Sequence, residues 1–212
     1  TETQGTFFPA ENLWKGKNGL VTWERAGFKK DEVFARLKEY EIDMTHSDYK
    51  AENVTFINKN YFSKSLEGIL TDKVQHNKAP ADADFPKFDS YQKDFSIRNL
   101  YKDINYEGGL SMQGARLVGT GNPEKMATLY IFRKDTLVLI ARSGYFAFKA
   151  DRINSSSASI IIKLKSDSIY HPGLAFSFIV TNRELTLFQT DDFISHSPYT
   201  NSYHNVDMTF DQ

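Results

Sequence analysis

Two groups of polar residues near the C-terminus have the side-chain types needed to bind a metal or a ligand. Asp191, Asp192, His196 and His204 combine carboxylates with imidazoles. These groups bind Zn²⁺ and also form a general base with its orienting carboxylate. The histidines lack the i, i+4 spacing of a helical zinc site. We therefore expect a solvated or capped turn and no metal site, and these four residues are the candidate ligands of the alternative.

The second group surrounds the segment Asp167–Gly173. Asp167, Tyr170 and His171 offer polar contacts to a ligand, and Tyr199 and Tyr203 follow as aromatic residues near turns. These five residues are the candidate binding residues of the chain. For the segment Asp167–Gly173 a structural connection is favoured over ligand binding, because Asp bonds to nearby backbone, Pro stiffens a turn and Gly permits positive φ.

The sequence predicts no catalytic residue. It has no Gly-x-Ser-x-Gly nucleophile motif. The glycine-rich segment Tyr106–Gly121 lacks the Gly-Lys-Ser/Thr ending of a phosphate-binding loop, and Leu110 and Met112 alternate as strand positions do. A glycan hydrolase with two convergent carboxylates stays as the alternative to a non-catalytic role.

Alternating apolar and polar runs dominate the second half of the chain, and turn residues separate them. This alternation is typical of half-buried strands. We therefore predict a mainly β protein, an antiparallel two-sheet sandwich, with a β-solenoid or an open twisted stack as the alternative. The runs are Thr128–Phe132, Thr136–Ile140, Ser159–Leu164, Leu174–Val180 and Val206–Phe210.

The first fifty residues differ from the rest. Val33, Phe34, Leu37 and Tyr40 recur at helical spacing, which predicts an amphipathic helix at about residues 31–41. We expect residues 1–50 to form a leader, with this short α-containing region packed on the β domain. Residues 51–212 are expected to form that β domain and to continue beyond the C-terminus in a longer parent protein.

Composition restricts the partners. The net charge is −1, so the chain has no overall positive field to attract nucleic acid. No run approaches the roughly 20 apolar residues of a membrane-spanning helix, so we expect no direct membrane insertion. Cysteine is absent, which excludes disulfides and thiolate metal sites. We expect no cofactor.

The segments Tyr106–Gly121, Asp167–Gly173 and Ser202–His204 resemble parts of long, uncharacterised envelope proteins of Gram-negative bacteria. The resemblance covers most of the chain beyond about residue 20. It implies an exported chain, located in the periplasm, at the cell surface or outside the cell, and cut from a larger β-rich protein. It implies no activity, cofactor or catalytic residue. We expect a structural or binding module that contacts protein, glycan or other segments of its own parent chain.

Overall fold

A computed structural model describes residues 3–74, 78–202, 204 and 206–209. The protein is mainly β, with 62% strand, 5% helix and antiparallel pairing, as predicted. Among the described residues, no helix is long and apolar enough to cross a membrane. The strands are β1 (Gln4–Phe8), β2 (Leu13–Thr22), β3 (Val33–Asp43), β4 (Asp48–Asn58), β5 (Leu66–Lys73), β6 (Lys87–Ser90), β7 (Phe95–Tyr101), β8 (Ile104–Gln113), β9 (Arg116–Thr120), β10 (Ala127–Arg133), β11 (Thr136–Ser143), β12 (Tyr145–Phe148), β13 (Arg152–Lys163), β14 (Ser168–Ile179), β15 (Glu184–Phe188), β16 (Tyr199–Asn201) and β17 (Val206–Met208). Short 3₁₀ helices cover Glu24–Ala26, Pro80–Asp82 and Phe193–His196.

Hydrogen bonds join these strands into one sheet. A two-sheet sandwich is not shown by this pairing and stays a prediction, as do the solenoid and the open stack. The chain divides into two compact units. The N-terminal unit is Thr1–Gln92 with Leu110–Leu117, and the C-terminal unit is Lys93–Gly109 with Val118–Gln212.

In the N-terminal unit, each strand from β1 to β6 pairs antiparallel with the next, and the second half of β8 pairs with β6. An aromatic cluster lies at the centre of its core. Phe56 stacks on Phe88 with ring centroids 4.3 Å apart, and Trp23 meets Phe56 edge to face at 5.1 Å. All three side chains are fully buried, and aromatic residues provide much of the apolar area that stabilises a core.

In the C-terminal unit, the first half of β8 pairs with β7 and β10. The ladder then continues through β11, β13, β14 and β15. Alternate residues such as Leu129 and Ile131 on β10, or Phe176 and Phe178 on β14, fill its core. These strands confirm the predicted runs within residues 128–180.

The prediction of a helix at residues 31–41 is wrong, because that segment is strand β3. Val33, Ala35 and Leu37 are buried at every second position, and β3 pairs with β2 along most of its length. Pairing with neighbouring strands therefore overrides the local helical spacing of the apolar residues. No α-helix occurs among the described residues.

The predicted boundary at residue 50 falls inside β4 and separates no structural unit. The glycine-rich segment is β8, a turn and β9, as its alternation predicted. Gly114 makes that turn with φ +54°, and a side chain there would collide with the carbonyl of Ala83.

Candidate functional site

The predicted binding segment Asp167–Gly173 is mostly strand rather than loop, since β14 begins at Ser168. Asp167 precedes the strand, and its Oδ1 accepts hydrogen bonds from the Ser168 amide at 2.5 Å and from the Ser202 hydroxyl at 2.6 Å. The carboxylate therefore links the start of β14 to the turn that follows β16.

His171 is buried, with 1% of its surface exposed. Its Nδ1 accepts a hydrogen bond from the Gly173 amide at 3.1 Å, so its Nε2 carries the proton and donates it to the Ser197 carbonyl at 2.8 Å. Burial lowers the pKa of His171 and keeps the ring neutral. His171 therefore links β14 to the segment 189–198 by a hydrogen bond from its buried ring.

Tyr170 and Tyr199 do not converge with His171 at an exposed site. Tyr170 is exposed, and because it is adjacent to His171 on β14 it points to the other face of the sheet. The ring of Tyr199 is half-buried and packs 4.6 Å from the His171 ring. Tyr203 lies outside the described residues.

Three of the candidate metal ligands, Asp191, Asp192 and His196, lie in one capped turn. Asp192 caps the 3₁₀ helix Phe193–His196 by accepting from the Ser195 amide at 2.8 Å, and it also accepts from the Thr190 hydroxyl. Both hydrogen bonds lower the pKa of Asp192, and the one from the Thr190 hydroxyl contributes most. Asp191 and His196 are exposed, and the His204 amide donates to Asn201 at 3.0 Å. Within the described ranges, no three acidic or histidine side chains come together as metal ligands.

A different surface has the character of a binding site. Phe7, Trp14 and Ile42 lie directly opposite one another across β1, β2 and β3. Tyr40 lies two residues before Ile42 on β3, and Met44 directly follows the end of that strand. We call these five residues the aromatic face. Phe7 is 47% exposed, and with Trp14, Ile42 and Met44 it lines a shallow depression of about 450 Å³.

Two glycines bring the rings of this face down onto the sheet. Gly5 and Gly16 are opposite each other on β1 and β2. A Cβ on Gly16 would lie 2.6 Å from the Tyr40 Oη, and one on Gly5 would lie 2.7 Å from the Trp14 Cε2. The rings of Tyr40 and Trp14 therefore occupy the space above the glycines and lie side by side over neighbouring strands.

The edges of these two rings retain hydrogen-bonding capacity. Trp14 and Tyr40 are half-buried. Neither the Trp14 indole N–H nor the Tyr40 hydroxyl has a hydrogen-bond partner within the described part of the chain. An aromatic side chain with a free polar edge suits a ligand that has both apolar and hydroxyl surfaces.

The other side of the same three strands is charged. Lys15 pairs with Glu41 at 2.9 Å and Lys17 with Glu39 at 3.1 Å, and Phe8 shares this side. Phe7 and Met44 are 47% and 58% exposed, and Trp14, Tyr40 and Ile42 are half-buried. The aromatic face is therefore a partly exposed surface and not part of the fully buried core.

A polar cavity of about 310 Å³ adjoins the ends of β3 and β4. Asp43 accepts hydrogen bonds there from the Thr45 amide and hydroxyl and, at 3.0 Å, from the Nδ1 of His46. The hydrogen bond from the Thr45 hydroxyl contributes most to lowering the pKa of Asp43, so the carboxylate stays ionised. Tyr49 lines this cavity and packs 6.5 Å from the Tyr40 ring, which connects it to the aromatic face.

Comparison with protein-family models, curated proteins and solved structures finds no match for this chain.

Reasoning from the sequence missed the aromatic face. A signal for it was present, because Gly5 and Phe7, Trp14 and Gly16, and Tyr40 and Ile42 each lie two residues apart, as residues on one face of a strand do.

Proposed function

We propose that this chain is a non-catalytic binding module that holds a neutral glycan against its aromatic face. The observation that carries this proposal is the pair of rings, Trp14 and Tyr40, that lie side by side over Gly5 and Gly16 on an outer surface.

Ring spacing suits a sugar chain. Residues opposite each other on paired strands lie about 4.5–5.5 Å apart, so the two rings above the paired glycines are offset by about the length of one pyranose unit. The C–H face of a pyranose packs on an aromatic ring in the way that other apolar surfaces do. A glycan that crosses β1, β2 and β3 would then place successive units on Phe7 or Trp14 and on Tyr40.

The chemistry of the face favours a neutral ligand. None of its five residues is charged, and the Lys–Glu pairs lie on the opposite side of the strands. One ring face buries about 100 Å² of the 150–250 Å² that an aromatic side chain offers, which is worth about 2.5 kcal/mol before the costs of association. The free indole N–H and the Tyr40 hydroxyl would bond to sugar hydroxyls.

The alternative expected from the sequence, a hydrolase with two carboxylates, requires a general acid whose pKa is raised. Asp43, which lines the polar cavity at the ends of β3 and β4, has a lowered pKa and so does not match that general acid.

Affinity electrophoresis of the full chain tests the proposal. Gels would contain xyloglucan, galactomannan or laminarin as neutral polysaccharides, and alginate as an anionic one. Phe7 and Phe8 form a matched pair, because they are adjacent, of the same type, and 47% and 37% exposed on opposite sides of β1. We expect at least one neutral polysaccharide to retard the chain, Phe7→Ala to weaken retardation, and Phe8→Ala to leave it unchanged.

Tryptophan fluorescence gives a second readout. Trp14 is half-buried and Trp23 fully buried, so a bound glycan should change the emission of Trp14 alone. Trp14→Phe should remove the ligand-dependent change. The proposal is wrong if no neutral polysaccharide retards the chain, or if Phe7→Ala and Phe8→Ala behave alike. Self-association that only Phe7→Ala abolishes would identify a protein interface instead.

We also propose that the module belongs to an exported or cell-envelope protein and that its strands pack as a sandwich. The absence of cysteine and the resemblance noted above support the location, and the alternation of buried and exposed positions supports the packing. Fractionation of cells that express the full-length protein would test the location.

A further inference from the structure

A second surface, in the C-terminal unit, also has the composition of a sugar site. Asn154, Ser177 and Thr186 lie in one row across β13, β14 and β15, and Ala175 is opposite Phe188 two residues along. A groove of about 470 Å³ runs over these strands, lined by Asn154, Ser155, Ser156, Ala175, Phe176, Ser177, Phe188 and Thr190. The Phe188 side chain is 50% exposed and forms one wall.

The groove offers hydrogen bonds without charge. None of its eight lining residues is ionisable. The side chains of Asn154, Ser156 and Ser177 have no hydrogen-bond partner within the described part of the chain. An amide and hydroxyls beside an exposed ring match the hydroxyls and the C–H face of a neutral sugar.

A β-bulge sets the position of one rim. The register between β13 and β14 shifts between Ser155 and Ala158, which inserts one extra residue into β13. The Ser155 hydroxyl is buried and bonds to the Ser143 hydroxyl at 2.9 Å and to the Ser157 carbonyl at 3.0 Å. The bulge leaves Ser156 exposed at the groove, and bulges re-aim side chains in this way near functional sites.

The other rim is fixed by the turn that Asp192 caps. The Thr190 amide donates to the Ser195 Oγ at 3.0 Å, and that hydroxyl donates to the Thr190 carbonyl at 2.7 Å. Ser195 is fully buried, so these bonds hold Thr190 in place. Two rims fixed before binding reduce the ordering cost that a ligand must overcome.

We infer that this groove is a second binding site, for a pyranose unit of a neutral glycan, in which Phe188 stacks on the sugar and Asn154, Ser156 and Ser177 bond to its hydroxyls. The inference goes beyond the proposed function, because the groove and the aromatic face share no residue. Either site can therefore fail without the other.

NMR titration of the ¹⁵N-labelled full chain tests it. The probes are cellotetraose, xylotetraose, mannotetraose and laminaritetraose at millimolar concentration. We expect at least one to shift the Asn154 side-chain amide and the backbone amides of residues 154–156 and 175–177. Phe188→Ala should weaken that binding about tenfold, as loss of one stacked ring predicts.

Two controls separate the possible causes. Phe193→Ala removes a ring that is 93% exposed in the neighbouring 3₁₀ helix and does not line the groove, so binding should be retained. Trp14→Phe should also retain it, which distinguishes this site from the aromatic face. If Phe188→Ala fails to fold, Ser177→Ala provides the test and should weaken binding. The inference is wrong if no probe shifts the groove amides, or if the folded groove variant binds as the wild type does.

Discussion

Gly16→Ala should reduce glycan binding without unfolding the protein. The new Cβ would collide with the Tyr40 Cζ and lie 2.6 Å from the Oη, so the ring must move by about 1.1 Å to restore an ordinary contact of 3.4 Å at its nearest atom. The obstructing atoms are the far end of a half-exposed side chain, so the cost should be below the 1–3 kcal/mol of overpacking in a core. A gain of about 0.4–1 kcal/mol from a less flexible unfolded chain offsets part of it. The net change in the free energy of unfolding should stay within about 1 kcal/mol.

The effect on binding should be larger. Displacement of Tyr40 from the sheet surface separates it from Trp14 and removes about half of one stacking contact, which predicts about a tenfold loss of affinity. Affinity electrophoresis in the retarding polysaccharide measures this loss, and urea unfolding measures stability. Gly144→Ala is the matched control, since its Cβ would meet only the Gly121 carbonyl at 4.0 Å and should change neither quantity. Unchanged affinity in Gly16→Ala would refute the role of the ring pair, and loss of several kcal/mol of stability would refute the argument that the ring can move aside.

Two further predictions concern the polar turn beside β14. His171→Gln should destabilise the protein by about 1–3 kcal/mol at neutral pH, because it leaves buried hydrogen-bonding groups unsatisfied. The folded-state pKa of His171 lies below its ordinary value of 6.5, so the unfolded chain takes up the proton first. Wild-type stability should therefore fall as the pH drops from 6.5 to the lower folded-state pKa, and urea unfolding of His171→Gln should lack this component. Asp192→Ala should speed hydrogen exchange at the Ser195 amide, whereas Asp192→Asn should preserve protection. Because the folded-state pKa of Asp192 is lowered, its stabilising effect should be present above pH 3.8 and be lost as the pH falls through the folded-state pKa. Equal hydrogen exchange in Asp192→Ala and Asp192→Asn would contradict the capping role.

The β character of the chain was predictable, because alternation along a strand is a local property. The runs at residues 128–132 and 174–180 follow it directly. The role of His171 was less accessible, since it depends on Ser197, a residue 26 positions away. A histidine beside Pro and Gly has the same local sequence whether it faces solvent or is buried under a later segment. Burial and tautomer follow from tertiary contacts and cannot be inferred from spacing alone.

The aromatic face was missed because residues 31–41 were predicted to form a helix. With that assignment, Tyr40 and Ile42 could not be placed beside Trp14 on one surface. A helix places Tyr40 on the stripe of Val33, Phe34 and Leu37, which predicts burial. As a strand residue, Tyr40 lies opposite Gly16 of β2, and its half-buried ring is available to a ligand. The charged residues already favoured the strand. One residue separates Lys15 from Lys17, and one residue separates Glu39 from Glu41. Opposite charges repeated with a period of two in both segments match a β ladder and stabilise its register.

Reversal of these charges tests this reasoning. Lys15→Glu with Lys17→Glu should destabilise the β2–β3 pairing. Adding Glu39→Lys with Glu41→Lys should restore both stability and glycan binding. Failure of the second pair to restore them would show that these charges do not set the register on which the aromatic face depends.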